Sequence, residues 1–91
     1  MNVGACVLNG AEIASSREFY QTLKTQLGAP EWTGNNCDAL WDLLTGLIEG
    51  PKLIVWLHSE HSKKNLGPDF EKLLSVLKDA AKEGYIQLQV Q

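Results

Sequence analysis

Two aspartates, Asp38 and Asp42, have the type and spacing best suited to chemistry in this chain. Side chains four residues apart on a helix are surface neighbours. Paired carboxylates can hold a divalent cation, or they can bind the cationic groups of a partner. Asp38 alone has an ordinary explanation, because the helix dipole favours an acid in the first turn. Asp42 lies beyond that turn and adds like-charge repulsion, which favours a role for the pair in binding.

The acidic charge of the chain is concentrated around this pair. The net charge is −3, from 11 acids and 8 bases, and no Lys or Arg occurs between Lys24 and Lys52. That stretch carries the acids Glu31, Asp38, Asp42 and Glu49. A local field of one sign attracts a partner of the opposite sign. The acidity also argues against direct nucleic-acid binding, which usually requires a basic surface.

Enzymatic and metal-binding chemistry is the first alternative. Two acids on one helix, even joined by His58 or His61, are too few ligands for a confident metal site. His58 and His61 are interpreted as surface loop residues, and Cys6 and Cys37 as buried thiols in a reducing compartment. The chain has no H-E-x-x-H sequence, phosphate-binding loop or nucleophile elbow. We therefore expect no catalytic residues, no metal and no cofactor.

Glycine, proline and capping residues divide the chain into seven predicted elements. Predicted strands span residues 3–8, 52–58 and 85–90, and predicted helices span about 15–27, 37–45, 60–66 and 69–84. Ser15 with Glu18 forms a capping box, and Asn36 and Asp69 are the expected N-caps of the second and fourth helices. Gly46 is expected to end the second helix.

The order of these elements predicts the fold class. Strands separated by helices pair in parallel, so we expect an α/β domain with a small three-stranded parallel sheet and about four helices. The continuous apolar run of residues 53–57 predicts a central strand covered on both faces. A chain of 91 residues is expected to form a single domain over residues 1–91. It has no signal peptide or membrane-spanning run, so a cytoplasmic location is expected.

One segment resembles the signature of the barstar family. Residues 30–46 read PEWTGNNCDALWDLLTG, with a proline-acid-aromatic loop, a Gly and an Asn before the helix, an Asp-Ala-Leu-Trp-Asp core and a Leu-Thr-Gly ending. Further landmarks of the family follow without a gap over nearly the whole chain. They include Asn9-Gly10 after the first strand and Glu83-Gly84 at the end of the last helix.

The resemblance implies a ribonuclease inhibitor with a barstar-like fold. Barstar-like proteins bind secreted guanyl-specific ribonucleases of the barnase type, one to one, with a helix and its preceding loop. The acids stand in for RNA phosphates and block the active site. Asp42 would enter the phosphate pocket, Asp38 would pair with a neighbouring base, and Trp32 would pack on the catalytic His of the enzyme.

The resemblance also implies a set of supporting contacts. Gly34 and Asn36 would shape the loop, and Asp79 matches a family Glu that makes an outlying salt bridge. The remaining expected partner contacts are Thr33, Thr45, Gly46 and Glu49. The chain departs from the family pattern at Thr33, Asn35 and Leu47, where the family has a second aromatic, an acid and a Trp.

A second alternative follows from these departures. The chain could keep the fold as an immunity or interaction protein for a different toxin or a partner that is not a ribonuclease. Trp41 and Trp56 do not separate the two possibilities, because both are expected in the core.

Overall fold

The computed structural model of this chain describes residues 5–29, 33–47 and 52–91. These residues form strands β1 (Cys6–Asn9), β2 (Leu53–Leu57) and β3 (Gln87–Val90), and helices α1 (Ser16–Leu27), α2 (Cys37–Asp42), α3 (Ser59–Leu66) and α4 (Pro68–Lys82). A 3₁₀ turn covers Gly10–Glu12, and a π-helical turn, Leu43–Leu47, continues α2. The predicted residues 3 and 4 of the first strand lie outside the described residues.

The three strands form one parallel sheet in the order β1-β2-β3. Cys6 is opposite Ile54, and Ile54 is opposite Leu88. Helices separate both pairs of consecutive strands, as parallel pairing requires. The predicted α/β class, with a three-stranded parallel sheet and four helices, is confirmed.

The central strand is not covered equally on its two faces. Ile54 and Trp56 are buried, whereas Leu53, Val55 and Leu57 are only partly buried. The expectation of full burial on both faces is therefore wrong for this strand. A continuous apolar run permits full burial on both faces but does not require it.

The edge of β1 is occupied by a side chain of α1. The Gln26 amide accepts a hydrogen bond from the Val7 backbone N–H at 2.7 Å and donates one to the Val7 carbonyl at 2.5 Å. Gln26 thus makes the pair of bonds that a neighbouring strand would make. One side chain closes the middle of this edge strand.

The boundaries of α1 follow the predicted local signals. The Ser15 hydroxyl accepts from the Glu18 N–H at 3.3 Å, and the Glu18 carboxylate accepts from the Ala14 N–H at 2.7 Å. This is a capping box displaced by one residue on its return bond. Gly28 ends the helix in the left-handed region, with φ of 70°.

The start of α4 differs from the prediction. Pro68 is the first helical residue, and Asp69 lies inside the first turn instead of capping it. Proline suits this position because its missing N–H would have had no helical acceptor. The Asp69 carboxylate instead accepts a hydrogen bond from the Ser16 hydroxyl at 2.8 Å, which ties α4 to the start of α1.

The core lies between the sheet and the helices and contains an aromatic row. The Trp56 ring centroid is 5.1 Å from that of Phe19 on α1 and 5.1 Å from that of Phe70 on α4. The buried Trp56 indole N–H donates to the Ser62 hydroxyl at 2.9 Å, so its polar group is satisfied. Trp56 is a core residue, as predicted.

Candidate functional site

Asp38 and Asp42 lie on the exposed side of α2. Asp38 and Asp42 are both exposed, while Leu40 between them is buried. Leu43 and Leu44 of the following turn are also buried and anchor the segment to the core. We call Asp38 and Asp42 together the acidic pair. Its carboxylates face solvent from a helix whose opposite side is held by apolar packing.

A side-chain cap fixes the start of this helix. The Asn36 Oδ1 accepts a hydrogen bond from the Ala39 backbone N–H at 2.8 Å, which confirms the predicted N-cap. A Cβ on Gly34 would lie 3.1 Å from the Asn36 Nδ2 and 3.4 Å from the Ala39 Cβ. Because so little room remains there, glycine suits the close approach of the loop to the cap.

Lys24 of α1 holds the residues just before this cap. Its ammonium donates to the Thr33 carbonyl at 2.9 Å and to the Asn35 Oδ1 at 2.7 Å. Sequence reasoning missed this contact, although Lys24 is the last base before the acidic stretch. We call residues 33–36 the cap segment, since they run from the Lys24 contact to the cap of α2.

Thr33 is oriented toward the interior. Its side chain is 8% exposed, and Oγ1 has no hydrogen-bond partner among the described residues. Gly34, Asn35 and Asn36 are exposed. Thr33 therefore supports the cap segment from inside in this structure, while its neighbours provide the accessible surface.

The C-terminal end of the helical segment corrects a second prediction. The helix does not stop at Gly46 but passes through it in the π-helical turn. The Thr45 hydroxyl donates to the Trp41 carbonyl at 2.8 Å. A hydroxyl that bonds back to this carbonyl competes with the regular helical N–H donor and distorts the helix, which agrees with a wider turn here. Gly46 is exposed, and Thr45 is half-buried.

Trp41 of α2 contacts Tyr85, an exposed aromatic residue close to β3. The Trp41 ring is half-buried against the core and makes an edge-to-face contact with Tyr85, with ring centroids 6.0 Å apart. Tyr85 is 42% exposed and lies just before β3. Sequence reasoning assigned Tyr85 to the last strand. The contact with α2 had no local signal, because the two residues are far apart in sequence.

Of the remaining expected partner contacts, the structure describes only Asp79. Asp79 is exposed on α4, the helix against which α2 packs. Trp32 and Glu49 lie outside the described residues, so the structure does not place them. The structure therefore brings together the acidic pair, the cap segment and the turn of Thr45 and Gly46.

The histidines and cysteines form no metal-binding or disulfide site with the described residues around them. His58 and His61 are exposed, as expected of surface residues. His61 lies within α3, in agreement with the predicted helix of residues 60–66, and not in a loop. Among the residues that the structure describes, no group of three or more His, Cys, Asp and Glu is placed to hold a metal ion. Both cysteines are free thiols, Cys6 buried and Cys37 half-buried. Burial raises the pKa of the Cys6 thiol to about 12.

Comparison with known proteins identifies the family of this chain. The family model described as "Barstar (barnase inhibitor)" matches residues 3–90. The chain belongs to the barstar family. It is also 32% identical over 77 residues, 85% of each chain, to a Bacillus subtilis (strain 168) protein named "Putative ribonuclease inhibitor YrdF".

The matched range, residues 3–90, includes every strand and every helix described above. Within the described ranges, no helix has the length and apolar character needed to cross a membrane. The acidic pair and residues 34–36 of the cap segment are thus exposed features of a barstar-family fold.

Proposed function

We propose that this chain inhibits a barnase-type ribonuclease by placing the acidic pair in the active site of the enzyme, one inhibitor per enzyme. Family membership and the relative named as a ribonuclease inhibitor support a non-catalytic ribonuclease-inhibitor role. The type of target and the mode of binding go beyond that support and rest on the geometry of α2.

The observation that carries the proposal is the exposure of two carboxylates one helical turn apart on a firmly packed helix. A ribonuclease must bind phosphates, so its active site presents cationic side chains. Carboxylates accept charge-assisted hydrogen bonds from such groups, and with arginine they can do so in pairs. An acidic pair held by α2 can therefore occupy the positions of RNA phosphates.

The surroundings of the acidic pair suit a blocking protein. The cap segment and the turn of Thr45 and Gly46 flank the pair on the same stretch of chain. In the proposed complex the accessible groups of these two segments form the polar rim, and Asp79 on α4 adds an outlying charge. Trp32 and Glu49 are proposed to join this surface, as the family resemblance implies.

The test is a titration of this protein into a barnase-type ribonuclease while RNA cleavage is followed. We expect activity to vanish at equimolar inhibitor. Asp42→Ala should weaken inhibition roughly 30-fold or more, because truncating one member of a desolvated charge pair costs about 2–5 kcal/mol. Measurements on barnase–barstar complexes are part of the basis for that range. Asp38→Ala should weaken inhibition by a smaller factor if the enzyme residue that pairs with Asp38 lies nearer the rim of the interface.

Glu71→Ala provides the matched control. Glu71 is also an exposed helical acid, but it lies in the first turn of α4. Its loss should leave inhibition within about twofold, since an exposed charge outside an interface contributes little. Equal inhibition by Asp42→Ala and by the parent protein would refute the proposed mode of binding. No inhibition by the parent protein would favour an interaction protein for a different partner.

A further inference from the structure

Lys24 connects a rigid helix to the segment that precedes the acidic pair. Its ammonium bonds both the Thr33 carbonyl and the Asn35 side chain, at 2.9 and 2.7 Å. We propose that Lys24 is a positioning residue for partner binding, which holds the cap segment in its bound shape before the partner arrives. This inference rests on the proposed function, because it assigns a further determinant of the same surface.

The anchor of this contact is well fixed. α1 buries Phe19, Leu23 and Leu27 in the core, so the backbone that carries Lys24 has little freedom. A lysine ammonium has three donors and can serve two acceptors at once. Hydrogen bonds from a charged donor are stronger than those between neutral groups. The side chain of Lys24 therefore attaches the cap segment to a helix that is packed into the core.

The held residues lead directly into the binding helix. Thr33 and Asn35 flank Gly34, and the next residue, Asn36, caps α2 through the Ala39 N–H. Ordering even one backbone residue costs about 1–2 kcal/mol, and a segment ordered in the free protein does not add that cost on binding. Holding residues 33–36 thus favours a long-lived complex.

The positive charge of Lys24 disfavours binding of a basic partner, whereas its hydrogen bonds to the cap segment favour binding. Lys24 is the base that borders the acidic stretch of the sequence, and a basic partner is repelled by it. Removing the charge should leave the association rate unchanged or raise it, while loss of the two bonds should speed dissociation. A residue that acted through charge alone would change mainly the association rate.

The experiment measures both rate constants with a barnase-type ribonuclease for Lys24→Met, Lys24→Arg and Asn35→Ala. We expect Lys24→Met to dissociate about tenfold faster or more, given the strength of bonds to charged groups. Asn35→Ala removes one of the two bonds without a charge change, and should dissociate faster by a smaller factor. Lys24→Arg should recover most of the loss, because a guanidinium can also donate to both acceptors.

Lys64→Met is the matched control, since it removes the same charge from the exposed last turn of α3. Its dissociation rate should equal that of the parent protein. If Lys24→Met also dissociates at the parent rate, or if Lys24→Met and Lys64→Met change it equally, the proposal is overturned.

A measurement on the free protein separates this inference from the proposed function. Amide exchange at Ala39 reports the Asn36 cap, and it should be about tenfold faster in Lys24→Met but unchanged in Lys64→Met. Unchanged exchange in Lys24→Met would overturn the positioning role even if the parent protein inhibits. Faster exchange with no inhibition by the parent would support positioning of the segment and refute the ribonuclease target.

Discussion

Cys6 shows how burial sets the behaviour of a single residue. Its thiol is fully buried on β1, and burial raises its pKa from the ordinary 9.0 to about 12. Tyr20 on α1 behaves in the same way, since burial and then the neighbouring Cys37 raise its pKa from 10.0 to about 12. Both groups are neutral when protonated, so the folded state disfavours their charged forms.

These shifts predict an alkaline loss of stability. The folded protein keeps the Cys6 proton at pH values where the unfolded chain releases it. The stabilisation is therefore complete below pH 9 and declines as the pH rises toward 12, by at most about 1.4 kcal/mol per pH unit for this group. Urea denaturation at intervals from pH 8 to 11, in the presence of a reductant, measures the free energy of unfolding.

The contributions of the two groups can be separated by pH. Between pH 9 and 10 the decline should come mainly from Cys6, because Tyr20 in the unfolded chain ionises only near pH 10. Cys6→Ala should therefore flatten the profile in that interval and leave the decline above pH 10. An unchanged slope between pH 9 and 10 in Cys6→Ala would show that this thiol is not its cause.

At the level of elements, the close junction of β1, β2 and α3 depends on Gly10. A Cβ there would lie 2.5 Å from the Ser62 hydroxyl and 2.6 Å from the Leu57 carbonyl, and it would also meet the His58 carbonyl. Backbone carbonyls cannot move aside, and the Ser62 hydroxyl already accepts from the Trp56 indole. Gly10→Ala should lower the free energy of unfolding by about 3 kcal/mol or more.

The matched control is a glycine with open surroundings. A Cβ on Gly46 would meet no described atom within 4 Å. Gly46→Ala should therefore be neutral or should raise the free energy of unfolding by up to about 1 kcal/mol, since alanine favours helical backbone. The two variants are compared by urea denaturation at pH 7. A Gly10→Ala variant as stable as Gly46→Ala would contradict the close junction.

The accuracy of the sequence predictions also varies by element. Asn36 and Ser15 cap their helices as predicted, because caps depend on neighbouring residues alone. The predicted end of α2 at Gly46 and the predicted cap at Asp69 were wrong, since tertiary contacts decided both. Buried Leu43 and Leu44 favour continuation of the helical path past Thr45, and Ser16 binds the Asp69 carboxylate.

The candidate site shows the same limit. The acidic pair could be predicted from type and spacing on a single helix. The contact of Lys24 with Asn35, and that of Trp41 with Tyr85, joins separate elements, and no periodic pattern encodes such pairs. Burial of Thr33 was likewise not predictable, because it depends on how the cap segment packs against α1.

For the whole molecule, the separation of charge predicts how binding depends on salt. The stretch between Lys24 and Lys52 is acidic, whereas the rest of the chain has seven acids against eight bases. Association with a basic ribonuclease should be fast at low salt and at least tenfold slower at high salt, while dissociation changes little. Stopped-flow mixing over a salt series measures both rate constants.

Two variants with the same net charge test whether position matters. Asp42→Asn and Glu71→Gln each remove one negative charge. Only Asp42→Asn should reduce the association rate and its salt dependence appreciably. Equal effects of both variants would mean that net charge, and not the acidic pair, steers the partner.

The closure of β1 by Gln26 has a consequence for self-association. Parallel three-stranded sheets have two edges, and stacking of many copies into a fibre requires both of them. Here the Gln26 amide already occupies the outward N–H and C=O of Val7, so growth at β1 would first have to displace it. Two copies that paired through β3 would each have only the β1 edge left, which Gln26 occupies. The assembly would therefore stop at a dimer. One glutamine in α1 thus opposes polymerisation of the protein at high concentration.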